Sequence, residues 1–224
     1  IVTDGGSTDR TREIVTRLSE SDSRIELINN HDRIQSAGLN LALDKAKGEI
    51  FIRADAHTLY DEDYITECVE AHNKHSTIIN CGGAQRFKGY NFVQKTIAVS
   101  AHSRLGSGNA KYRKTDYNGF ADTTYLGCFK TQELKSIGGY NSKLAVNEDY
   151  ELNFRILKKF GEQSIFISSK IICYYLPRPT ITKLCVQYFK YGLYKYFTSH
   201  YLNSFSLRSL LPVLGFVTAP LLSL

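Results

Sequence analysis

The chain has 224 residues, of which 42% are hydrophobic and 22% charged, with a formal net charge of +6. This length and composition exclude a disordered chain and fit one globular domain, alone or with an appendage. The basic balance favours phosphorylated small molecules or anionic lipid as partners, and it disfavours nucleic acid because no helix-turn-helix, zinc-finger or aromatic RNA-binding motif is present.

The five cysteines are widely spaced, and no two of them form a CxxC pair. This pattern indicates free thiols in a reducing compartment rather than a disulfide framework or a zinc site, and we expect each thiol to be a small, buried, apolar residue. The sequence contains no methionine. Because translation begins with methionine, we expect the sequence to be an N-terminally truncated excerpt of a longer protein.

The first third of the chain alternates between strand-like and helix-like segments. Strands are predicted at 1–3, 25–28, 49–54 and 77–81, and helices after a Ser7 or Thr8 cap, at 37–47 and at 61–75. This alternation predicts an α/β, Rossmann-like fold with a mostly parallel sheet flanked by helices. Ligands of such sheets bind at the carboxyl ends of strands, which is where Asp4 and Asp55 lie.

The rest of the chain is less regular. Residues 103–121 indicate a long functional loop, 130–137 and 147–160 helices, 165–167 and 171–175 strands, and 181–201 a helix rich in Tyr, Phe and Lys. Prolines interrupt the chain at 177–179, so we expect a main α/β domain at 1–178 and a membrane-associated helical segment at 179–224. Residues 209–224 are apolar and uncharged. They are interpreted as the start of a transmembrane segment, with a buried helix as the alternative.

The first of three acidic motifs is Asp4-Gly5-Gly6-Ser7-Thr8-Asp9, which follows a strand and opens a helix. Glycines allow the backbone to turn tightly and approach a ligand, and a carboxylate here could bind a base or a ribose hydroxyl. The alternative is a capped turn without a ligand. No Gly-Lys-Ser/Thr follows, so the motif is not a Walker phosphate loop.

The other two acidic motifs supply a possible metal site and a possible base. Asp55-Ala56-His57 offers two metal ligands for a diphosphate-bound cation, and Asp with His suits Mn²⁺, whereas Mg²⁺ prefers oxygen ligands. A surface turn is the alternative. Asn147-Glu148-Asp149 offers a carboxylate that could deprotonate a hydroxyl. Acids in the first turn of a helix are also favourable for dipole reasons alone.

The helix predicted at 181–201 places Lys183, Gln187 and Lys190 on one face. This face could hold phosphate or sugar hydroxyls, while the intervening aromatic residues suit a membrane interface. The alternative is a solvated lysine face above an aromatic core contact.

Taken together, these motifs resemble glycosyltransferase family 2, with its GT-A fold, over nearly the full chain. Within the family the chain is most similar to the exopolysaccharide branch typified by succinoglycan biosynthesis glycosyltransferases. The resemblance rests on the order and spacing of six segments: DGGSTDRT (4–11), RADAH (53–57), DTTYLGCF (122–129), GGYN (138–141), NEDYELNFR (147–155) and QYFKYG (187–192).

The resemblance implies roles on the donor side of the site. Asp4 would contact the base of the nucleotide, with Ser7 and Asp9 in the same nucleotide-binding loop. Asp55 would meet ribose and metal, and we expect His57 to be a direct ligand of the same divalent ion, Mn²⁺ or Mg²⁺.

The resemblance also implies roles on the acceptor side. Asp149 would be the catalytic base, with Glu148 beside it near acceptor or metal. A QxxRW-like element that holds donor and acceptor would comprise three residues of the last helix: Gln187, Lys190 and Tyr191. Among the cations that could stabilise the departing diphosphate, Arg113 is favoured because it lies in the long loop.

The resemblance implies inverting hexosyl transfer from a nucleoside-diphosphate sugar to a hydroxyl of a lipid-linked saccharide, in exopolysaccharide or cell-surface glycan synthesis. UDP is the expected nucleotide because it is the usual carrier in the family. The expected location is the cell membrane, with the catalytic domain facing the cytoplasm. Two other readings stay open: a degenerate sugar-binding or assembly subunit of a polysaccharide complex, and a nucleotidyltransferase of similar architecture.

The chain departs from the family pattern in several places. Gly5 replaces the second Asp of the first motif, and His57 replaces the last Asp of the DxD motif. Lys190 and Tyr191 replace Arg and Trp, which weakens any expectation of processive synthesis. The family's first strand is expected to precede Ile1.

Overall fold

The computed structural model describes residues 1–103, 108 and 110–201. Its helices are α1 Thr11–Ser21, α2 Gln35–Lys45, α3 Tyr64–Lys74, α4 Phe92–His102, α5 Thr131–Ser136, α6 Glu148–Phe160 and α7 Ile181–Tyr201, with 3₁₀ turns at Lys111–Arg113 and Glu162–Ser164. Its strands are β1 Val2–Asp4, β2 Leu27–Asn29, β3 Ile50–Ile52, β4 Thr58–Tyr60, β5 Asn80–Gly83, β6 Arg86–Phe87, β7 Gly119–Phe120, β8 Tyr125–Lys130, β9 Ile165–Ile167 and β10 Cys173–Tyr175. Strands and helices alternate through the first half of the chain, as predicted.

The strands form three sheets, with the orders β3-β8-β5-β9-β7, β4-β10-β6 and β1-β2. Pairing is parallel for β1 with β2, β5 with β9 and β6 with β10. It is antiparallel for β8 with both β3 and β5, for β7 with β9 and for β4 with β10. The prediction of a mostly parallel sheet is therefore wrong. In the five-stranded sheet, β8 lies between β3 and β5 and runs antiparallel to both. Antiparallel neighbours need no helical crossover, whereas parallel neighbours do.

Alternation along the strands of the five-stranded sheet divides the core between its two sides. On one side, Phe51 and Phe129 pack with buried residues of helices α2, α5 and α6. On the other side, Cys128 and Phe166 pack with buried residues of α3 and β10. The consecutive residues Cys128 and Phe129 of β8 thus contribute to opposite sides, so both faces of the sheet are buried under helices.

The cysteines are free thiols, as predicted. Four are buried on the α3 side of the sheet: Cys68, Cys81, Cys128 and Cys173. Cys185, on helix α7, is exposed, which corrects the expectation that every thiol is buried. Within the buried cluster, Nε2 of His72 lies 3.0 Å from the carbonyl oxygen of Cys128.

Other parts of the chain also differ from the sequence prediction. Helix α1 begins at Thr11 rather than after a Ser7 or Thr8 cap. Helix α4 was not predicted, and its N-terminus is closed by a capping box in which Asn91 and Gln94 each bind the other's backbone N–H. The segment predicted as a loop at 103–121 contains a 3₁₀ turn and β7, while residues 104–107 and 109 lie outside the described residues.

Helix α7 spans Ile181–Tyr201, as predicted, and exposes several large apolar side chains, including Ile181 and Phe189. Among residues 1–103, 108 and 110–201, no helix has the length and apolar content needed to cross a bilayer. The apolar segment 209–224 lies outside the described residues, so the predicted transmembrane segment stays a prediction.

Candidate functional site

The loop after β1 is organised by the carboxylate of Asp4. Gly6 has a φ of +92°, which glycine adopts without strain, and its N–H donates to Asp4 Oδ2 at 3.0 Å. The N–H of Ser7 donates to the same carboxylate at 3.2 Å, and Arg12 Nη1 of helix α1 donates at 2.8 Å. Hydrogen bonds from Ser7 and Arg12 hold the pKa of Asp4 well below its usual range. Asp4 is therefore ionised and fixes the shape of the loop.

The remaining residues of this loop are exposed. Ser7 is an exposed residue, and Asp9 Oδ1 accepts the N–H of Thr11 at 3.0 Å. Hydrogen bonds from the side chain and the N–H of Thr11 lower the pKa of Asp9. Asp9, rather than Ser7 or Thr8, thus accepts the hydrogen bond from the first backbone N–H of helix α1. Arg33 packs over the turn, with its Nε 3.5 Å from the position that a Cβ on Gly6 would occupy. The loop therefore combines a fixed carboxylate with a nearby guanidinium.

A buried guanidinium joins the second and third acidic motifs. Arg53 donates from Nε to Asp55 Oδ1 at 2.8 Å and from Nη2 to Asp55 Oδ2 at 3.0 Å. Its Nη1 donates to Glu148 Oε1 at 3.1 Å. The three side chains are only 7–8% exposed. Burial opposes ionisation of Asp55, but the hydrogen bonds from Arg53 prevail and lower its pKa. The carboxyl end of β3 is thereby tied to the start of helix α6.

His57 lies beside Asp55 and packs edge-on against the ring of Tyr175, with ring centroids 5.3 Å apart. The backbone N–H of Leu176 donates to the His57 carbonyl oxygen at 3.3 Å. His57 is exposed, but partial desolvation of its ring lowers its pKa and outweighs the opposing attraction of Asp55. The imidazole is therefore neutral near pH 7 and has a lone pair to offer.

The pair of Asp55 and His57 fits a divalent cation that accepts mixed oxygen and nitrogen ligands, such as Mn²⁺. Each carboxylate oxygen has two lone pairs, so the hydrogen bonds from Arg53 leave Asp55 with capacity for an ion. In the described part of the chain, one group of three side chains has its ligand atoms within 4.8 Å of one another, and it lies in the core: His72, Cys81 and Cys128. A cation at Asp55 and His57 would therefore complete its coordination with diphosphate oxygens and water.

The two acids at the start of helix α6 have different surroundings. Glu148 is buried against Arg53, and burial together with the charge of Asp149 raises its pKa. Asp149 is exposed, and its Oδ1 accepts the N–H of Tyr150 at 2.8 Å. Asn147, just before them, has a left-handed φ of 63°, a conformation that tends to occur at functional sites. Asp149 is therefore the acid that an incoming hydroxyl can reach.

Helix α7 contributes Gln187 and Tyr191 to the same region. Gln187 Nε2 donates to the hydroxyl of Tyr175 at 3.0 Å and to that of Tyr191 at 2.8 Å. Although 44% of Tyr191 is exposed, partial desolvation of its hydroxyl, followed by the proximity of Tyr175 and of Asp149, raises the pKa of Tyr191 to about 12. Because Tyr175 also contacts His57, a continuous set of side chains runs from the Asp55 motif to helix α7.

Two predicted cations lie outside this set. Lys190 is exposed and lines the outer surface of helix α7 with Val186 and Phe189. The guanidinium of Arg113 lies 5.5 Å from the ring centroid of Phe87, and Phe87 in turn packs against Tyr175. Two aromatic rings thus separate Arg113 from His57. The roles expected for Lys190 and Arg113 stay predictions.

Sequence reasoning missed the arginines that hold the carboxylates: Arg12 at Asp4, and Arg53 between Asp55 and Glu148. A signal for Arg53 was present, since a charged residue directly follows the buried β3 segment Ile50–Ile52. Such a residue is seldom buried without a partner of opposite charge. No comparable signal marked Arg12, which lies on a helix with many charged residues.

Comparisons with known proteins identify the family and the fold of the chain. Residues 1–130 match the family model described as "Glycosyl transferase family 2". The chain is 36% identical over 197 residues to "Succinoglycan biosynthesis protein ExoA" of Rhizobium meliloti (strain 1021). It is 23% identical over 202 residues to "Dolichyl N-acetyl-alpha-D-glucosaminyl phosphate 3-beta-D-2,3-diacetamido-2,3-dideoxy-beta-D-glucuronosyltransferase" of Methanococcus voltae. These alignments cover 86% and 87% of this chain but only 58% and 62% of the two relatives.

Two solved structures share the fold. TarS 1-349 of S. aureus, in complex with UDP, has a TM-score of 0.55 and 16% identity, covering 80% of this chain and 51% of that one. The mannosyltransferase PcManGT from Pyrobaculum calidifontis, in complex with GDP-Man and Mn²⁺, has a TM-score of 0.61 and 16% identity, covering 95% and 57%. The fold is thus α/β and GT-A-like, with mixed sheets flanked by helices. The family model and the 36% identical relative confirm the resemblance carried by the six sequence segments: the chain belongs to glycosyl transferase family 2.

Proposed function

We propose that the protein is an inverting glycosyltransferase that moves a sugar from a nucleoside-diphosphate donor to an acceptor hydroxyl. The observation that carries this proposal is the bridge made by Arg53 between Asp55 and Glu148. It brings a carboxylate suited to a donor and its metal next to the helix that exposes Asp149. Donor site and base are thereby held in one region, which transfer between two bound substrates requires.

The donor side combines the loop around Asp4 with the pair of Asp55 and His57. UDP is the proposed nucleotide, since one solved neighbour is in complex with UDP. Mn²⁺ is the proposed metal, since another solved neighbour is in complex with GDP-Man and Mn²⁺. A divalent ion held by Asp55 and His57 would neutralise charge on the diphosphate. Asp4, already bonded to Ser7 and Arg12, keeps the loop in the shape that would receive the base and ribose.

The acceptor side rests on Asp149. Its exposed carboxylate takes the proton of the acceptor hydroxyl, and the hydroxyl oxygen forms a bond to the anomeric carbon of the donor sugar. The bond from that carbon to the diphosphate oxygen breaks, and the nucleoside diphosphate leaves with the electron pair. Because one displacement occurs from the opposite face, the anomeric configuration inverts. Because Arg53 forms an ion pair with Glu148, this carboxylate adds little net negative charge to the region that the donor approaches.

A lipid-linked saccharide is the proposed acceptor, with synthesis at the cytoplasmic face of the cell membrane. The name of the Methanococcus voltae relative specifies a dolichyl-linked glycosyl phosphate, and that of the Rhizobium meliloti relative specifies succinoglycan biosynthesis. Helix α7 of this chain exposes aromatic and aliphatic side chains together with Lys183 and Lys190. Such a surface suits contact with an anionic membrane.

A non-catalytic nucleotide- or sugar-binding subunit is the second candidate. The replacement of an expected metal-binding Asp by His57, and of an expected Asp by Gly5, favours it. Such a protein would bind the donor without transferring its sugar, so the two candidates differ in turnover and not in nucleotide binding.

Calorimetric titration of the full-length protein with UDP, with and without Mn²⁺, tests the donor site. We expect Mn²⁺ to strengthen UDP binding by about tenfold or more, and the variant Asp55→Ala with His57→Ala to lose that gain. A matched control, His31→Ala with Asp44→Ala, removes the same residue types from exposed positions and should behave as the wild type. If the folded protein binds neither UDP, GDP nor TDP, the proposal is wrong.

A further inference from the structure

Helices α4 and α7 enclose an apolar groove on the surface of the protein. The groove has a volume of about 290 Å³ and is lined along α4 from Phe92 to Ala101 and along α7 from Ile181 to Tyr188. This volume is at the lower end of the roughly 300–1,000 Å³ typical of ligand sites. The stretch of α4 from Phe92 to Ala101 is about 14 Å long, so the groove suits a slender apolar chain better than a compact ring.

At one end of the groove, helix α4 is hydrogen-bonded to the segment that leads into α7, and we call this the fastened end. Gln94 Nε2 of helix α4 donates to the carbonyl oxygen of Pro177 at 2.8 Å. Asn91 Nδ2 donates to the carbonyl oxygen of Pro179 at 3.1 Å. Both acceptors lie in the segment that leads into α7, and Gln94 is buried. The end of the groove is therefore built by specific polar contacts and is not a chance gap between two helices.

The fastened end lies next to the candidate active site and carries an exposed cation. Arg178 stands between the two prolines and is exposed. Two residues before it, Leu176 donates its N–H to the carbonyl oxygen of His57 at 3.3 Å, so the two Cα atoms of Arg178 and Leu176 are within about 7 Å. The groove thus begins beside the segment 177–179, which adjoins the Asp55-Ala56-His57 motif, and the charge of Arg178 acts on His57.

We propose that this groove binds the hydrocarbon chain of a lipid phosphate acceptor, with the phosphate held by Arg178. The inference rests on the proposed function, since it places the lipid of the proposed acceptor on this chain. In this arrangement the hydrocarbon chain would lie along α4 and the saccharide beyond the phosphate would extend toward Asp149, since the charges of Arg178 and Asp149 both act on the Tyr191 hydroxyl. Arg178 supplies the complementary charge for the phosphate, and the groove supplies apolar contact.

Helix α7 itself offers a matched control surface. Ile181, Leu184 and Tyr188 line the groove, whereas Val186 and Phe189 lie on the other side of the helix with Lys190. The two sets are equally accessible to substitution: Ile181 is 65% exposed, Val186 52% and Phe189 72%. Non-specific association of an apolar chain with α7 would involve both sets, but a chain bound in the groove contacts only the first.

The test measures binding of farnesyl phosphate, a short isoprenoid phosphate, to the full-length protein by calorimetry. Farnesol and inorganic phosphate serve as the separate tail and head. The groove variant carries Phe92→Ser and Ile181→Ser, the control variant Val186→Ser and Phe189→Ser, and the head-group variant Arg178→Gln. Circular dichroism verifies that each variant is folded, and UDP titration verifies that the nucleotide site is intact.

We expect the groove variant to weaken farnesyl phosphate binding by about tenfold or more, and the control variant to change it by less than about twofold. Arg178→Gln should weaken binding of farnesyl phosphate but not of farnesol. Equal weakening by the groove and control variants would mean non-specific apolar association with α7 and would overturn the proposal, as would no binding by a wild type that still binds UDP. Failure of the wild type to bind any nucleotide would instead count against the proposed function.

Discussion

The buried ion-pair bridge at Arg53 yields the most demanding prediction. In Arg53→Met the side chain keeps similar length and apolar volume but loses its charge and all three hydrogen bonds to Asp55 and Glu148. Two carboxylates that are about 8% exposed would then face each other without a counter-ion. Removing one partner of a buried ion pair costs about 3–5 kcal/mol of folding free energy. Single domains are stable by roughly 5–15 kcal/mol, so the variant should fold with a much reduced margin.

Urea unfolding provides the stability measurement, and UDP titration provides the functional one. Arg53→Met should unfold at clearly lower urea and bind UDP more weakly, because Asp55 loses its fixed orientation. Adding Asp55→Asn and Glu148→Gln should restore most of the stability by removing the unpaired charges, without restoring UDP binding.

Arg155→Met is the matched control, since Arg155 pairs with Glu151 on the same helix α6 at 2.7 Å and lies outside the proposed donor site. It should lower stability and leave UDP affinity within about twofold. The reasoning is refuted if Arg53→Met unfolds within about 1 kcal/mol of the wild type, or if neutralising both carboxylates recovers nothing.

Three further predictions concern the loop, the core and helix α7. Gly6→Ala should cost about 1–3 kcal/mol, because alanine is strained at a φ of +92°, and should weaken UDP binding as the N–H turns away from Asp4. Burial lowers the pKa of His72 in the folded protein. As the pH falls below about 6.5, the unfolded chain therefore binds a proton before the folded chain does, and the free energy of unfolding decreases. The urea midpoint should therefore drop more between pH 7.5 and 5.5 in the wild type than in His72→Gln, and an equal drop would contradict this. Tyr175→Phe removes the acceptor for Gln187, costs about 0.5–1.5 kcal/mol, and should speed proteolysis of α7.

Local patterns predicted some elements well and others not at all. Helix α7 was predicted with its observed ends, and α6 nearly so, because a proline break or an acidic first turn marks the start of each. Helix α4 was missed because its apolar residues do not form one buried stripe: Phe92 is 84% exposed and Val99 75%. Periodic spacing of apolar residues predicts a helix when these residues share one face. The exposed apolar residues of α4 do not share a face, since Phe92 lines the groove and Val99 does not.

Sheet order was the larger failure, and its cause is non-local. The pattern of strands and helices in residues 1–81 correctly indicated α/β structure, but β8 comes from the second half of the chain and lies between β3 and β5. No local periodicity encodes such an insertion. Within the described residues β1 pairs only with β2, and β3 only with β8. The family's first strand, expected before Ile1, stays a prediction.

The candidate site was predictable where a residue ends a strand, follows one or opens a helix, as Asp4, Asp55 and Asp149 do. These positions are readable because strand ends and helix starts are local features. The Arg53 bridge was not predictable in full, since its two partners are on distant parts of the chain. A buried arginine after β3 required a partner, but only the fold could identify Glu148 as that partner.

The most direct test of the central claim is release of nucleoside diphosphate from a panel of UDP-, GDP- and TDP-sugars. It is measured with Mn²⁺ and a lipid-linked saccharide acceptor, for the full-length wild type and for Asp149→Asn. The account predicts acceptor-dependent release from at least one donor by the wild type, and its loss in Asp149→Asn with UDP binding retained. Acceptor-dependent release that persists unchanged in Asp149→Asn would contradict the assignment of the base. Tight nucleotide binding without release from any donor would favour the binding subunit over the enzyme.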